Sequence, residues 1–313
     1  MKRNLGTSVR LLTVALFLMC LTLVLAPLSV AGVSSDKLHI PDADKIQMIA
    51  LSDGSMLTGR ISRVEEDKVI FVTKLGEVTI PIDQIDDIRE MSSSAIKGGK
   101  YWFPNPNRTR LYFAPTGRLL EAGKGYFSDL LLFFPSVSYG VTDNISIGGG
   151  MSLFPGVDFS KQLFYFFPRI GYQPSDKLAL AGSMLILGLP DFDDDDDDDE
   201  DDLIDEGKVA GILFGTATYG TDIFSVTGGV GYGYVGDDFA DKPAVLFGFD
   251  WRFSRRLSFV SENWIFPDVD QPLASYGLRF FGESLSADLG FLTPLGDDAI
   301  FPGFPLISFA WNF

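Results

Sequence analysis

Histidine and cysteine are nearly absent from this chain: His39 and Cys20 are the single representatives in 313 residues. With one histidine, any imidazole base working near neutral pH must be His39 itself. Cys20 lies inside an apolar leader, so removal of the leader leaves neither disulfides nor thiol chemistry, even in an oxidising compartment. Positive charge is scarce too. Lys and Arg number 25 against 42 Asp and Glu, a net charge of −17, which argues against nucleic acid as a partner. No stretch after residue 31 reaches the roughly eighteen apolar residues that a membrane helix needs. A membrane crossing by the mature chain must then be a closed barrel, because only helices and closed barrels satisfy the backbone in lipid.

What the sequence does have begins with a secretory leader. Lys2, Arg3 and Arg10 form a basic start, Leu11 to Leu25 is apolar, Pro27 breaks the run, and Ser29-Val30-Ala31 offers small residues for cleavage after Ala31. Lipidation at Cys20 is disfavoured by the bulk of Met19 before it. Residues 32–44 read as a tether. Residues 45–90 read as a small β domain, with turns at Asp53-Gly54, Glu66-Asp67 and Leu75-Gly76 between short strands, and with 83–89 as either one helical turn or a fifth strand. Leu51-Ser52-Asp53-Gly54 followed by Gly59 resembles the start of Sm-like folds, in which a bent second strand needs that glycine. The resemblance implies a small Sm- or SH3-like barrel. RNA binding is not carried over, because the segment is acidic and has no aromatic stacking platform. A periplasmic protein partner fits it better. Residues 91–108 read as a linker, with Tyr101-Trp102-Phe103 as an anchor at the membrane interface.

From residue 109 an alternating strand, a tight turn, a strand and a longer loop recur to the end. Strands are expected near 109–115, 125–140, 144–153, 161–172, 177–187, 207–219, 222–235, 242–253, 256–266, 272–282, 284–293 and 303–313. Twelve is an even number, as bacterial single-chain barrels require; ten is the fallback. In the last strand Pro305, Ile307, Phe309, Trp311 and Phe313 share one face, and Leu306, Ser308, Ala310 and Asn312 the other. This resembles the C-terminal strand of bacterial outer-membrane barrels, and implies that Phe309, Trp311 and Phe313 are read by the barrel-insertion machinery. In 242–253, Val245, Phe247, Phe249, Trp251 and Phe253 face lipid; in 222–235, Phe224, Val226, Val230, Tyr232 and Tyr234 do. The segments Asn105-Pro106-Asn107, Phe113-Ala114-Pro115-Thr116, Gly123-Lys124-Gly125-Tyr126 and Tyr139 to Gly148 resemble an uncharacterised family of outer-membrane proteins from Bacteroidota-type bacteria. That resemblance implies barrel and location, and no activity.

The fold expected is therefore all-β: an antiparallel transmembrane barrel over 109–313 in the bacterial outer membrane, in contact with lipid and lipopolysaccharide, with the small domain in the periplasm. His39 precedes the barrel, so no histidine-based enzyme is expected within it. Arg110, Arg169, Asp250, Arg252, Glu262, Arg279 and Asp288 are expected to face the lumen. Two readings of them stay open: charges paired across a filled or narrow interior, giving a structural or binding barrel, or the selectivity lining of a passive channel or small-solute transporter. Asp193 to Asp199 are seven consecutive aspartates, followed by Glu200, Asp201 and Asp202. Such a run is extended and solvated, and expected outside the cell. Asp193, Asp195, Asp197, Asp199 and Asp201 are candidates for weak Ca2+ or Mg2+ association, but lack the spaced ligands and turn glycine of a calcium loop. No other cofactor is expected.

Overall fold

Alternation of apolar and polar residues is realised twice, in two separate β structures. The computed structural model describes residues 37–97, 100–188, 209–267, 269–296 and 301–313. The chain divides into two compact units between Trp102 and Phe103. No helix among the described residues is long and apolar enough to cross a membrane.

In the first unit β1 (Lys45–Leu51), β2 (Met56–Val64), β3 (Lys68–Thr73), β4 (Gly76–Pro81) and β5 (Ile85–Ser92) form one antiparallel sheet in the order β4-β3-β2-β1-β5. Ile49, Ile61, Val69, Phe71, Ile80, Ile85 and Ile88 make its core. Gly59 is required by close approach: a Cβ there would overlap the carbonyl oxygen of Val72 on the neighbouring strand. At the first turn Asp53 Oδ1 accepts the Ser55 N–H at 2.7 Å, and this backbone hydrogen bond holds the exposed carboxyl below its ordinary value. Both alternatives for 83–89 are present in sequence, a 3-10 turn at Ile82–Gln84 and then β5. The end of the expected tether is fastened, since the Arg60 guanidinium donates to the carbonyls of Pro41, Asp42 and Ala43 at 2.7–2.9 Å. The expected linker is also partly ordered, because β5 runs to Ser92 and a small hairpin follows, β6 (Ile96–Lys97) with β7 (Lys100–Tyr101).

The second unit is a closed antiparallel barrel. Its strands are β8 (Gly125–Leu130), β9 (Phe134–Thr142), β10 (Ile145–Met151), β11 (Phe164–Phe166), β12 (Arg169–Ser175), β13 (Leu178–Gly188), β14 (Val209–Gly220), β15 (Phe224–Val235), β16 (Asp238–Phe239), β17 (Ala244–Ser254), β18 (Leu257–Ile265), β19 (Leu273–Phe281), β20 (Leu285–Pro294) and β21 (Phe304–Asn312). β11 and β12 are two halves of one stave, interrupted at 167–168, and β16 is a short addition to β15. Twelve staves result, and the ring shuts where β21 pairs β8. At the seam Gly125 and Phe313 exchange both backbone hydrogen bonds at 2.9 Å.

Twelve is the expected number, but two of its members differ from expectation. Residues 109–115 are not a stave, and 125–140 is not one strand but the hairpin β8–β9. The hairpin turn is made by Leu131 and Leu132, both at positive φ (57° and 65°). Two consecutive left-handed residues are the mark of a type I′ turn, which normally takes Asn and Gly. Leu131 is held there by packing against the buried cluster of Leu111, Tyr112, Leu246 and Leu306.

The facing follows the pleat. Val245, Phe247, Trp251 and Phe253 are exposed on β17, while Leu246, Gly248, Asp250 and Arg252 point inward and are buried. On β21 Ile307, Phe309, Trp311 and Phe313 lie on the outer face, and Leu306, Ser308 and Ala310 on the inner. A one-residue slip of β17 would turn Asp250 and Arg252 outward; Arg252 lies near the short-turn end, where an arginine facing lipid costs about 0–1 kcal/mol, against about 2–4 kcal/mol in mid-membrane. Tyr234 departs from the expected facing: it is buried, packs on Phe239, and donates to the Leu185 carbonyl at 3.1 Å. The turns at 143–144, 176–177, 221–223, 255–256 and 282–284 share one end of the barrel with Phe313. The opposite end carries the longer connections after β10, β13, β15, β18 and β20, together with the tight turn at 131–133.

Candidate functional site

Residues 103–124 form a finger inside the barrel. The chain enters at the short-turn end, where Arg252 Nη1 donates to the Phe103 carbonyl at 2.7 Å and Phe103 meets Phe281 edge-on at 5.9 Å. Phe103 is therefore a lumen residue and not the interfacial anchor expected of it. Asn105 donates to Asp250 at 3.2 Å, and its N–H to Asp222 at 3.3 Å. The finger climbs to mid-barrel and reverses: Leu111 N–H donates to the Ala114 carbonyl at 2.8 Å and Thr116 N–H to that of Thr109 at 3.0 Å. It then descends, with Gly117 N–H on Thr218 Oγ1 at 2.8 Å and Arg118 on the Gly220 carbonyl at 2.9 Å, and passes directly into β8. Asn107, Thr109, Arg110, Leu111, Tyr112, Ala114, Thr116 and Arg118 are all buried. This explains why 109–115 cannot be a stave: residues of both parities are covered by barrel wall, and Pro104, Pro106 and Pro115 remove ladder donors. Residues 116–124, expected as a long outer loop, form the descending limb.

The expected lumen charges meet around this finger. Arg279 donates from Nε and Nη2 to the two oxygens of Asp288 at 2.6 and 3.0 Å, and its Nη1 lies 3.6 Å from Asp250. It also donates to the finger carbonyls of Arg110 and Leu111. Asp288 additionally accepts from Arg110 Nη1 at 3.2 Å and from Ser308 at 2.8 Å. Arg110 thus reaches this cluster from the finger, not from the wall. Glu262 holds the tip: one oxygen accepts the N–H groups of Tyr112, Phe113 and Ala114 at 2.9, 3.2 and 3.1 Å, and the other the Trp264 indole at 2.8 Å. Phe113 stacks on Trp264 at 6.3 Å. Gly290 leaves space for the Tyr112 ring, whose hydroxyl an added Cβ would meet at 2.8 Å. Arg169 donates to Ser183 and to the carbonyls of Thr109, Thr116 and Arg118. Arg252 sits between the rings of Phe103 and Phe281, 5.0 and 4.9 Å from their centroids. Buried charge is costly unless paired and hydrogen-bonded; here wall charges on five staves are satisfied largely by finger backbone.

Above the tip, toward the long-loop end, the lumen widens into a cavity of about 940 Å3. The expected metal residues Asp193, Asp195, Asp197, Asp199 and Asp201, like the leader, lie outside the described residues. Among the described residues no group of three or more His, Cys, Asp or Glu is arranged to hold a metal. His39 lies in the first unit, 3.0 Å from Glu90. The finger itself was missed by sequence reasoning; its three prolines within twelve residues were the available signal.

No protein-family model matches the chain, and no curated protein matches it. Similar solved structures include the NanC porin, 6% identical, with 61% of this chain and 98% of that chain covered at a TM-score of 0.37. A mutant Rh. blastica porin is 9% identical, with 86% and 97% covered at 0.31. Superposition at this level carries no argument about activity, and the all-β closed barrel stands on its own strand pairing.

Proposed function

We propose that this protein is an outer-membrane barrel closed by its own finger: a structural or binding barrel, without catalytic role, and not an open pore. The observation that carries the reading is the finger's anchorage, in which Glu262, Arg279, Arg169 and Arg252 bind its backbone from the wall. A closed sheet with an apolar, aromatic outer face suits lipid. Short turns mark the periplasmic end in such barrels, so the finger enters from the periplasm, and the small β unit is periplasmic in this reading. Phe309, Trp311 and Phe313 then serve as the insertion signal, and the acidic run faces lipopolysaccharide and its divalent cations.

The test is single-channel recording of refolded protein in a planar bilayer. Folded wild-type protein is expected to be silent. Discrete, reproducible conductance steps would overturn the closed-barrel reading in favour of a channel.

A further inference from the structure

The inner wall changes character along the barrel axis. On β13 the inward positions run Ala179, Ala181, Ser183, Leu185, Leu187, and on β14 they run Thr218, Thr216, Phe214, Ile212. Small and hydroxyl side chains give way to bulky hydrocarbon in the half that the finger leaves empty. Leu163 and Phe266 extend the same lining. A water-filled channel carries polar groups at such positions, so this half is built to hold something other than water.

The floor of the cavity is different. Arg169, Arg110, Tyr126, Ser138 and Ser146 line it. The register sets Tyr126 opposite Ser138 and Ser146 opposite Arg169, and Arg110 reaches the floor from the finger. Arg169 is 7% exposed, and its partners are carbonyl oxygens and one hydroxyl. Among the described residues no carboxylate forms an ion pair with it, whereas Arg110 and Arg279 share Asp288. Ser138 Oγ and Arg110 Nε are buried without a hydrogen-bond partner, and Ser138 is only 4% exposed. A cation without a counterion and an unused hydroxyl, both lining the polar floor of an apolar cup, are complementary to an anion that carries an apolar body.

We infer that the cavity binds a single-chain anionic amphiphile, its acidic head on Arg169 and Ser138 and its hydrocarbon body along Leu185, Leu187, Ile212 and Phe214. A free fatty acid and a monoacyl phospholipid share this chemistry. The inference does not depend on whether the barrel conducts.

The experiment uses the full chain, folded and transferred to an amphipathic polymer so that no free micelles compete. Dodecanoate, dodecyl phosphate and dodecanol are titrated by calorimetry. The expected result is saturable binding of one dodecanoate or dodecyl phosphate per chain, with dodecanol weaker by about tenfold or more. The stronger of the two anions identifies the source, carboxylate or phosphate. Leu187→Trp, which fills the cup well away from the finger, is expected to weaken every ligand by about tenfold or more while leaving heat-modifiable gel mobility unchanged. Arg169→Met should abolish the preference for acid over alcohol. Because that variant also loosens the finger, Ser138→Ala is the gentler check, with a smaller loss for the acids alone. Absence of saturable binding by folded protein, equal affinity for acid and alcohol, or indifference to Leu187→Trp would each overturn the inference. An open pore that still binds dodecanoate would refute the closed barrel and leave this inference standing.

Discussion

Replacing Glu262 by alanine should release the finger. The side chain is fully buried and accepts four N–H groups, three from the finger tip and one from Trp264. A buried donor left without an acceptor costs about 1–3 kcal/mol. Taking the low end, because the tip can shift toward the cavity, the three finger donors amount to about 3 kcal/mol. This falls on the finger-in state, since an extruded finger finds water, whereas the Trp264 indole stays on the wall. The ratio of finger-in to finger-out should therefore drop by about two orders of magnitude. Trypsin reads this directly. Arg110 and Arg118 are both 6% exposed and shielded in the lumen, so cleavage after them requires the finger to leave. When opening is fast relative to cleavage, the rate tracks the open population. Mass spectrometry of the folded barrel should show cuts after Arg110 and Arg118 accelerating by about a hundredfold or more. Glu262→Gln should fall between, since its amide keeps an acceptor but turns an NH2 toward backbone donors. Unchanged cleavage in a folded Glu262→Ala barrel would refute the claim that this carboxylate holds the finger.

Three further outcomes are expected. Arg279→Met leaves Asp288 and Asp250 buried with one cation fewer, and should destabilise the barrel by about 3–5 kcal/mol, read as a lower transition in heat-modifiable gel mobility. In the small unit, burial opposes ionisation of Asp87, but hydrogen bonds from Lys37 and Arg89, both at 2.9 Å, outweigh it and hold the carboxyl below its ordinary value. A depressed folded-state value means that this contribution is complete above the unfolded carboxylate value of about 3.9 and is lost as pH falls through the folded one. The protection of β5 amides against hydrogen exchange, taken relative to the intrinsic rate at each pH, should thus fall on acidification below about pH 4, and less so in Asp87→Asn. Deletion of Phe313 removes the last hydrogen-bonded pair of the seam, with Gly125, and should lower the yield of folded barrel in assisted membrane insertion; full yield would argue against the terminal aromatic as an insertion signal.

Strand pattern was legible wherever the two faces of a stave meet different media. β17 and β21 alternate cleanly because one side is outside the ring and the other inside it. Three features broke that link. The finger has buried surroundings on all sides, so Arg110-Leu111-Tyr112 mimics a strand without being one. The turn at Leu131-Leu132 uses leucines where turn chemistry predicts Asn or Gly, because Leu131 packing outweighs local preference. In the upper half both faces are apolar, so Met184-Leu185-Ile186-Leu187 shows no alternation even though β13 runs through it. The charged lumen residues were readable as inward-facing by parity, and Arg279 and Asp288 face each other across adjacent strands, but the other partners of Glu262, Arg169 and Arg279 were not, since those are finger backbone atoms more than fifty residues away in sequence.

The finger is also a charged body lying along the membrane normal. Residues 103–124 carry Arg108, Arg110, Arg118 and Lys124 against Glu121. An elementary charge crossing a full 100 mV gains about 2.3 kcal/mol, so Arg110, starting from mid-barrel, gains about 1 kcal/mol on expulsion. Parting Arg110 from Asp288 costs about 3–5 kcal/mol. A field of that size cannot dislodge the wild-type finger at either polarity. Removing Glu262 leaves that pair in place, so the same field still falls short, and current through the Glu262→Ala barrel should be the same at both polarities of about 100 mV.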